Sequence, residues 1–270
     1  MTLVGPPEVA AAVLERAGAA PDGLPVAPAT QVVGMGEDPA RGVRSKRDAT
    51  VRVAAALVRD GTADAMVSVG STGAAMAAAL FTLGRLPGVT RPALAIAVPA
   101  VAGPVVLLDV GATTEAGPDL IVQHALAGAA YARVLGTADE PRIGLLSIGT
   151  EPGKGDALRK DAGAALAALD VGAGGPVRYV GLVESSAVPL GGAADVVVTD
   201  GFTGNVLLKG LEAMLTTITR LLEREGYPTA GVSAAAEATG TYAFTAASES
   251  TLAQTTAAGL RKVMRGAYRG

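Results

Sequence analysis

Residues 194–214, ADVVVTDGFTGNVLLKGLEAM, constrain the fold more than any other stretch of the chain. A β-branched run, Val196, Val197, Val198 and Thr199, meets Asp200-Gly201, then a Phe-Thr-Gly-Asn turn, then apolar residues at helical spacing. The pattern is that of a buried strand emptying through a glycine loop into a helix N-terminus. The unpaired N–H groups and positive dipole end of such a helix suit an anion, and Thr203 and Asn205 add side-chain donors.

The same device recurs along the chain. A strand over 63–70 leads through Ser71-Thr72-Gly73 into a helix over 74–83. Strands over 93–98 and 105–110 end in Asp109-Val110-Gly111-Ala112-Thr113-Thr114, before a helix over 118–135. A strand over 142–148 runs into Gly149-Thr150-Glu151-Pro152-Gly153-Lys154-Gly155 and a helix over 156–169. A strand over 178–182 has Glu184 at its end, a long helix covers 206–224, and a closing helix covers 250–268. Ahead of these, a strand over 2–5, a helix over 8–17, a loop over 18–30 and a strand over 31–33 are predicted. Alternating strands and helices imply an α/β fold with a doubly wound, mostly parallel sheet. Ligands of such sheets bind outside the carboxyl ends of the strands, so these polar, glycine-rich mouths together predict a pocket for a phosphate-sized anion.

Composition removes several chemistries. The chain has no cysteine and a single histidine, His124, which disfavours thiolate catalysis, a Ser-His-Asp triad and a His-rich metal site. A net charge of −3 offers no general attraction to nucleic acid or acidic membranes. Hydrophobic residues reach 50 % with aromatics at only 3 %, as suits tightly packed βα layers. The apolar run over 93–108 is interrupted by Pro99, Gly103 and Pro104 and falls short of the roughly 20 residues of a spanning helix. Pro6, Pro7 and Glu8 follow the first short apolar run, so no signal peptide is read and a soluble, cytoplasmic protein is expected.

One segment stands apart in charge. Residues 37–59 carry Arg41, Arg44, Lys46, Arg47 and Arg52. A helix from about Arg41 would put Arg41, Arg44 and Arg52 on one stripe, opposite Val53, Ala54, Leu57 and Val58. The stripe is either a solvated helix face or a basic patch for an acidic partner or a phosphate.

From residue 2 to about 212 the motifs resemble the PlsX family, the bacterial phosphate acyltransferases of phospholipid synthesis. The resemblance rests on EDPARGVRSKRDATVRVAAALVRDGTADAMVSVGSTGAAMAAAL, GRLPGVTRPALAI, LLDVGAT, RIGLLSIGTEPGKG and ADVVVTDGFTGNVLLK, in that order. It implies a three-layer α/β fold of the isocitrate/isopropylmalate dehydrogenase type, a single domain over 1–270, and a homodimer. A helical arm near 206–248 would serve dimerisation and transient contact with a membrane. The implied reaction moves a fatty acyl group from acyl carrier protein to inorganic phosphate, with no metal or organic cofactor. Phosphate is then the nucleophile, so neither Cys nor His is needed. The basic segment would suit docking of an acidic carrier protein.

Carried over residue by residue, Thr203, Gly204 and Asn205 match the strongest loop of the family. Asp200 either orients these donors or caps the helix, and Lys209 either neutralises phosphate or is a surface lysine. Lys154 and Thr150 are candidates to hold phosphate, and Glu151 to move a proton. Arg44 and Lys46 match basic positions of the family. Ser71-Thr72-Gly73 stands where the family has Asn-Thr-Gly, and Thr113 stands where it has Asn. Glu184 keeps its place, but Ser186-Ala187 replaces Arg-Asp. His124 is expected on a helix surface, where the family has an apolar residue. Family members open further upstream with a strand and a Met-Gly-Gly-Asp loop, so an upstream element is expected to be missing. Two rival readings stay open: a degenerate homologue that binds carrier protein without turnover, and acyl transfer to phosphate from coenzyme A.

Overall fold

A computed structural model describes residues 1–18, 20, 24–169 and 177–227, together with the backbone of 243–244. The chain forms two compact units, one over residues 1–87 and one beginning at Gly88.

In the first unit, strand β1 (Leu3–Gly5) pairs in parallel with β2 (Val26–Pro28), with helix α1 (Pro7–Arg16) between them in sequence. Helices α2 (Pro39–Ser45), α3 (Thr50–Arg59) and α4 (Thr72–Thr82) follow. Val33, Val43, Ala49, Ala55, Ala74, Ala77 and Ala78 make their common core. Two of these helix starts are capped by a side chain. Asp38 accepts the Arg41 N–H at 2.7 Å ahead of Pro39, and Ser71 accepts the Ala74 N–H at 3.3 Å.

Three expectations fail here. The basic helix is broken in two, because residues 46–49 pair with the segment before them. The Asp48 carboxylate accepts from both Thr30 N–H and Thr30 Oγ1 at 2.7 Å, and Gln31 and Ala49 form an isolated parallel bridge. Arg41 and Arg44 therefore lie on a different helix from Arg52. The strand expected over 31–33 shrinks to that single bridge, while β2 occupies part of the expected loop. Residues 63–70 form no strand: Val67 and Val69 are 91 % and 103 % exposed, so their β-branched side chains have no sheet to join.

The second unit holds β3 (Leu94–Val98), β4 (Val105–Leu108), α5 (Pro118–Leu135), β5 (Arg142–Leu146), α6 (Ala157–Leu169) and β6 (Arg178–Val183). After these come α7 (Ala187–Leu190), β7 (Val196–Val198), α8 (Gly201–Arg224) and β8 (Ala243–Phe244). The strands form one sheet in the order β6-β5-β7-β4-β3-β8, of which β6, β5, β7 and β4 are mutually parallel. β3 runs antiparallel to β4 and to β8. The core lies between this sheet and helices α5 and α6, with Ile121, Leu126, Ile143, Leu145, Leu166 and Val196 at its centre. The central parallel strands β4, β5 and β7 are almost wholly buried and read as nearly continuous apolar runs, while β6, at the edge, is buried only at Val183. The expected closing helix over 250–268 lies outside the described residues. No helix among the described residues is long and apolar enough to cross a membrane.

The helix after β7 begins at Gly201, so the residues read as a Phe-Thr-Gly-Asn turn form its first turns. His124 is also not on a surface; it is 1 % exposed, inside α5. Its ring nitrogens have no hydrogen-bond partner among the described residues.

Candidate active site

Because β6, β5, β7 and β4 are parallel, their carboxyl ends share one edge of the second unit. Glu184, the 149–155 loop, the start of α8 and the 109–113 loop leave the sheet there in spatial order. Two buried charged side chains hold the mouths after β4, β5 and β7.

The first is Asp109. Its Oδ1 accepts the N–H groups of Leu94 (3.0 Å), Gly111 (3.1 Å) and Ala112 (2.8 Å), and its Oδ2 that of Thr113 (2.8 Å). Helix α8 starts directly against this loop. Gly201 N–H donates to Thr113 O at 2.8 Å, and a Cβ on Gly204 would sit 1.9 Å from the Asp109 carbonyl oxygen. Glycine at 204 is what lets the helix come this close.

The second is Arg159 on α6. Its Nη2 donates to the Asp200 carboxylate, to Thr199 Oγ1 at 3.0 Å and to Thr203 Oγ1 at 3.1 Å. Nη1 reaches Asp156 Oδ2 at 3.0 Å, and Nε reaches the Leu146 carbonyl at 3.3 Å. One guanidinium thus joins the ends of β5 and β7 to two helix starts. Asp200 caps α8, accepting from Thr203 N–H at 2.9 Å and from Thr203 Oγ1 at 2.8 Å. Burial pushes its carboxyl up, but these bonds and the Arg159 charge outweigh burial and hold it below the usual carboxylate value.

This geometry changes which atoms can meet an anion. The N–H groups of Gly201, Thr203 and Gly204 bond to Thr113 O, Asp200 Oδ1 and Asp200 O, and the Thr203 hydroxyl faces Asp200 and Arg159. The expected free amides of this helix start are thus spoken for. What the edge presents to solvent is Asn205, beside Gly111, and the exposed Glu151 and Lys154, whose side chains close over the Cα of Gly149. Around the β6 end, Thr150 and Glu184 line one cleft of about 490 Å³.

The family model described as "Fatty acid synthesis protein" matches residues 1–240. The chain belongs to this family, the PlsX family. A protein called phosphate acyltransferase from Desulfitobacterium hafniense (strain Y51) is 43 % identical over 223 residues, which are 83 % of this chain and 64 % of that relative. One of the same name from Exiguobacterium sp. is 44 % identical over 201 residues, covering 74 % and 59 %. Another, from Bacillus cereus (strain G9842), is 47 % identical over 190 residues, covering 70 % and 56 %. The chain thus spans less than two thirds of the length of these relatives. Two solved structures share the fold at a TM-score of 0.56. The EutD phosphotransacetylase from Staphylococcus aureus is 15 % identical and a phosphotransacetylase from Streptococcus pyogenes is 19 % identical, each match covering 79 % of this chain and 82 % of that one.

Of the PlsX-matching residues, those of the second unit gather on the sheet edge just described, except Lys209. It lies two turns into α8, paired with Glu212 at 2.8 Å on an exposed surface. Thr113 is buried and serves the edge through its backbone. In the first unit, Ser71, Thr72 and Gly73 form the start of α4, with the Ser71 hydroxyl held by its own cap. Arg44 lies over the Phe81 ring, 4.5 Å from its centroid, and Lys46 bonds Glu37 and the Val32 carbonyl. Arg159 and Asp109 were not among the residues singled out from the sequence. Arg159 had a signal: it shares a helical stripe with Ala162 and Leu166, a charge on an otherwise buried face.

Proposed function

We propose that the chain is a phosphate acyltransferase, moving an acyl group from a thioester to inorganic phosphate at the carboxyl edge of its second unit. The observation that most supports this is the edge itself: adjacent strand ends locked by Asp109 and Arg159, with Lys154, Asn205 and Glu151 left at the rim. The names of the relatives point to the same reaction.

In this reading Lys154 and Asn205 hold the phosphate dianion, and Thr150 adds a hydroxyl. A phosphate oxygen attacks the thioester carbonyl carbon; a C–O bond forms and the C–S bond breaks. The proton of hydrogen phosphate passes by way of Glu151 to the departing thiolate, giving acyl phosphate and free thiol. Asp200, through Thr203, is a positioning residue. Within the first unit, Ser71, Thr72, Gly73 and the Arg44–Lys46 segment serve an acidic carrier protein.

The finer architecture proposed is three-layered and of the isocitrate/isopropylmalate dehydrogenase type. A homodimer is supported by α8, where no residue beyond Leu208 is buried and Val206, Met214, Ile218 and Leu221 are exposed. The setting is cytoplasmic, with peripheral membrane contact through the same arm. One observation favours carrier-protein binding without turnover: the α8 amides named above are occupied, leaving fewer donors for an oxyanion.

The deciding assay is phosphate-dependent release of thiol from acyl carrier protein and coenzyme A thioesters of several chain lengths. Turnover that is lost in Lys154→Ala supports the reading; no turnover with any donor overturns it.

A further inference from the structure

Arg159 holds the loop that carries Glu151 and Lys154 at both of its ends. Before the loop, its Nε bonds the carbonyl of Leu146, the last residue of β5. After the loop, its Nη1 reaches Asp156 Oδ2, while Asp156 Oδ1 accepts the Arg159 N–H at 2.9 Å. The end of the loop also closes on the stem of this side chain. Gly155 has φ +88°, and a Cβ there would lie 2.7 Å from Arg159 Cβ and 2.8 Å from Ser147 Oγ. Between these two anchors Glu151 and Lys154 are exposed.

The remaining nitrogen, Nη2, serves the other side of the site. It bonds Thr199 Oγ1 directly after β7, the Asp200 cap of α8, and Thr203 Oγ1, two residues before Asn205. All three guanidinium nitrogens are therefore bonded to protein, and the side chain is buried. Lys154 comes from one side of this joint and Asn205 from the other.

We infer that Arg159 is a positioning residue for phosphate, setting the distance between Lys154 and Asn205 without itself touching the anion. The inference rests on the phosphate acyltransferase reading, and it deepens that reading by naming what fixes the dimensions of the phosphate site. A dianion held by one group from each of two segments is gripped only when their spacing matches it, and a displacement of about 1 Å can cost about 100-fold in rate. Charge alone does not substitute for Arg159. A lysine keeps the charge but ends in one compact ammonium, which cannot span Leu146, Asp156, Asp200 and Thr203 together.

Arg159→Lys and Arg159→Met are compared with Leu166→Ala, which weakens the core under the same helix and touches no polar group of the joint. The Michaelis constants for phosphate, butyryl-coenzyme A and butyryl-carrier protein are measured at a temperature where circular dichroism shows each variant folded. A phosphate KM raised tenfold or more in both Arg159 variants is expected, with donor KM values within twofold of the wild type and phosphate KM unchanged in Leu166→Ala. A phosphate KM that stays at the wild-type value in Arg159→Lys overturns the inference, because charge alone then suffices. An equal rise in Leu166→Ala also overturns it, because lost stability then explains the effect. Calorimetric titration with inorganic phosphate needs no donor. Phosphate binding weakened tenfold or more in Arg159→Lys upholds the inference even if no thioester reacts, in which case only the reaction reading falls. A wild type that binds no phosphate overturns the inference.

Discussion

Arg159 of α6 donates its guanidinium to the carboxylate of Asp200, the residue that caps α8 forty-one positions later in the chain. Both side chains are buried, and the same Arg159 nitrogen touches Thr199 and Thr203. A helix cap, a strand end and a second helix are thereby fixed by one cation. Removing it leaves a carboxylate in an environment that disfavours its charge. Arg159→Leu is expected to cost about 3 kcal/mol in urea unfolding, and Arg159→Lys to restore only part of it, because an ammonium cannot span the same acceptors.

Gly204 gives a sharper test of how α8 is seated. A methyl group there would lie 1.9 Å from the Asp109 carbonyl oxygen, and backbone cannot rotate out of the way. Gly204→Ala should destabilise the protein by about 2 kcal/mol or more. Gly210→Ala, where nothing lies within 4 Å of the added carbon, should stabilise by a few tenths. Equal effects at the two positions would contradict the close approach.

His124 carries a pH prediction. Burial lowers its pKa from the ordinary 6.5, and the neighbouring negative Asp109 only partly opposes this. The unfolded chain therefore takes up a proton near pH 6.5 that the folded chain resists. Stability falls as pH drops below 6.5 towards the lowered folded value, by at most about 1.4 kcal/mol per pH unit. His124→Leu should flatten the urea midpoint between pH 7.5 and 5 and raise it at pH 7.5, since two unpartnered ring nitrogens leave the core. Asp200 acts lower on the scale. Its depressed pKa contributes stability above the ordinary 3.8 that is lost as pH falls through the folded value.

At the rim, Asn205→Ala and Lys154→Ala each remove an exposed side chain. Circular dichroism and the unfolding midpoint should stay within error of the wild type. The phosphate kcat/KM should fall about 100-fold in each. An equal loss of stability would mark these side chains as scaffold.

Much of the second unit was legible in the chain, because its signals are local. Val196–Val198 and the apolar runs at β3, β4 and β5 are continuous in sequence, and α5 spans the predicted residues, Pro118 to Leu135. The first unit was less so. The alternation over 63–70 looks like a strand, but a strand exists only where another backbone pairs with it, and none among the described residues does.

By itself, then, the sequence determined the order of strands and helices from β3 to β7 in the second unit, α7 apart, and that polar loops follow its parallel strands. Apolar periodicity and turn residues act within a few positions of themselves. Tertiary structure alone decided what those loops offer. Asp200 and Thr203 turn inward because Arg159 arrives from α6, α8 starts at Gly201 because it docks on the Asp109 loop, and His124 is buried because of the face α5 lays on the sheet. Each of these depends on charges or volumes brought together from distant positions, and spacing along the chain carries no measure of that.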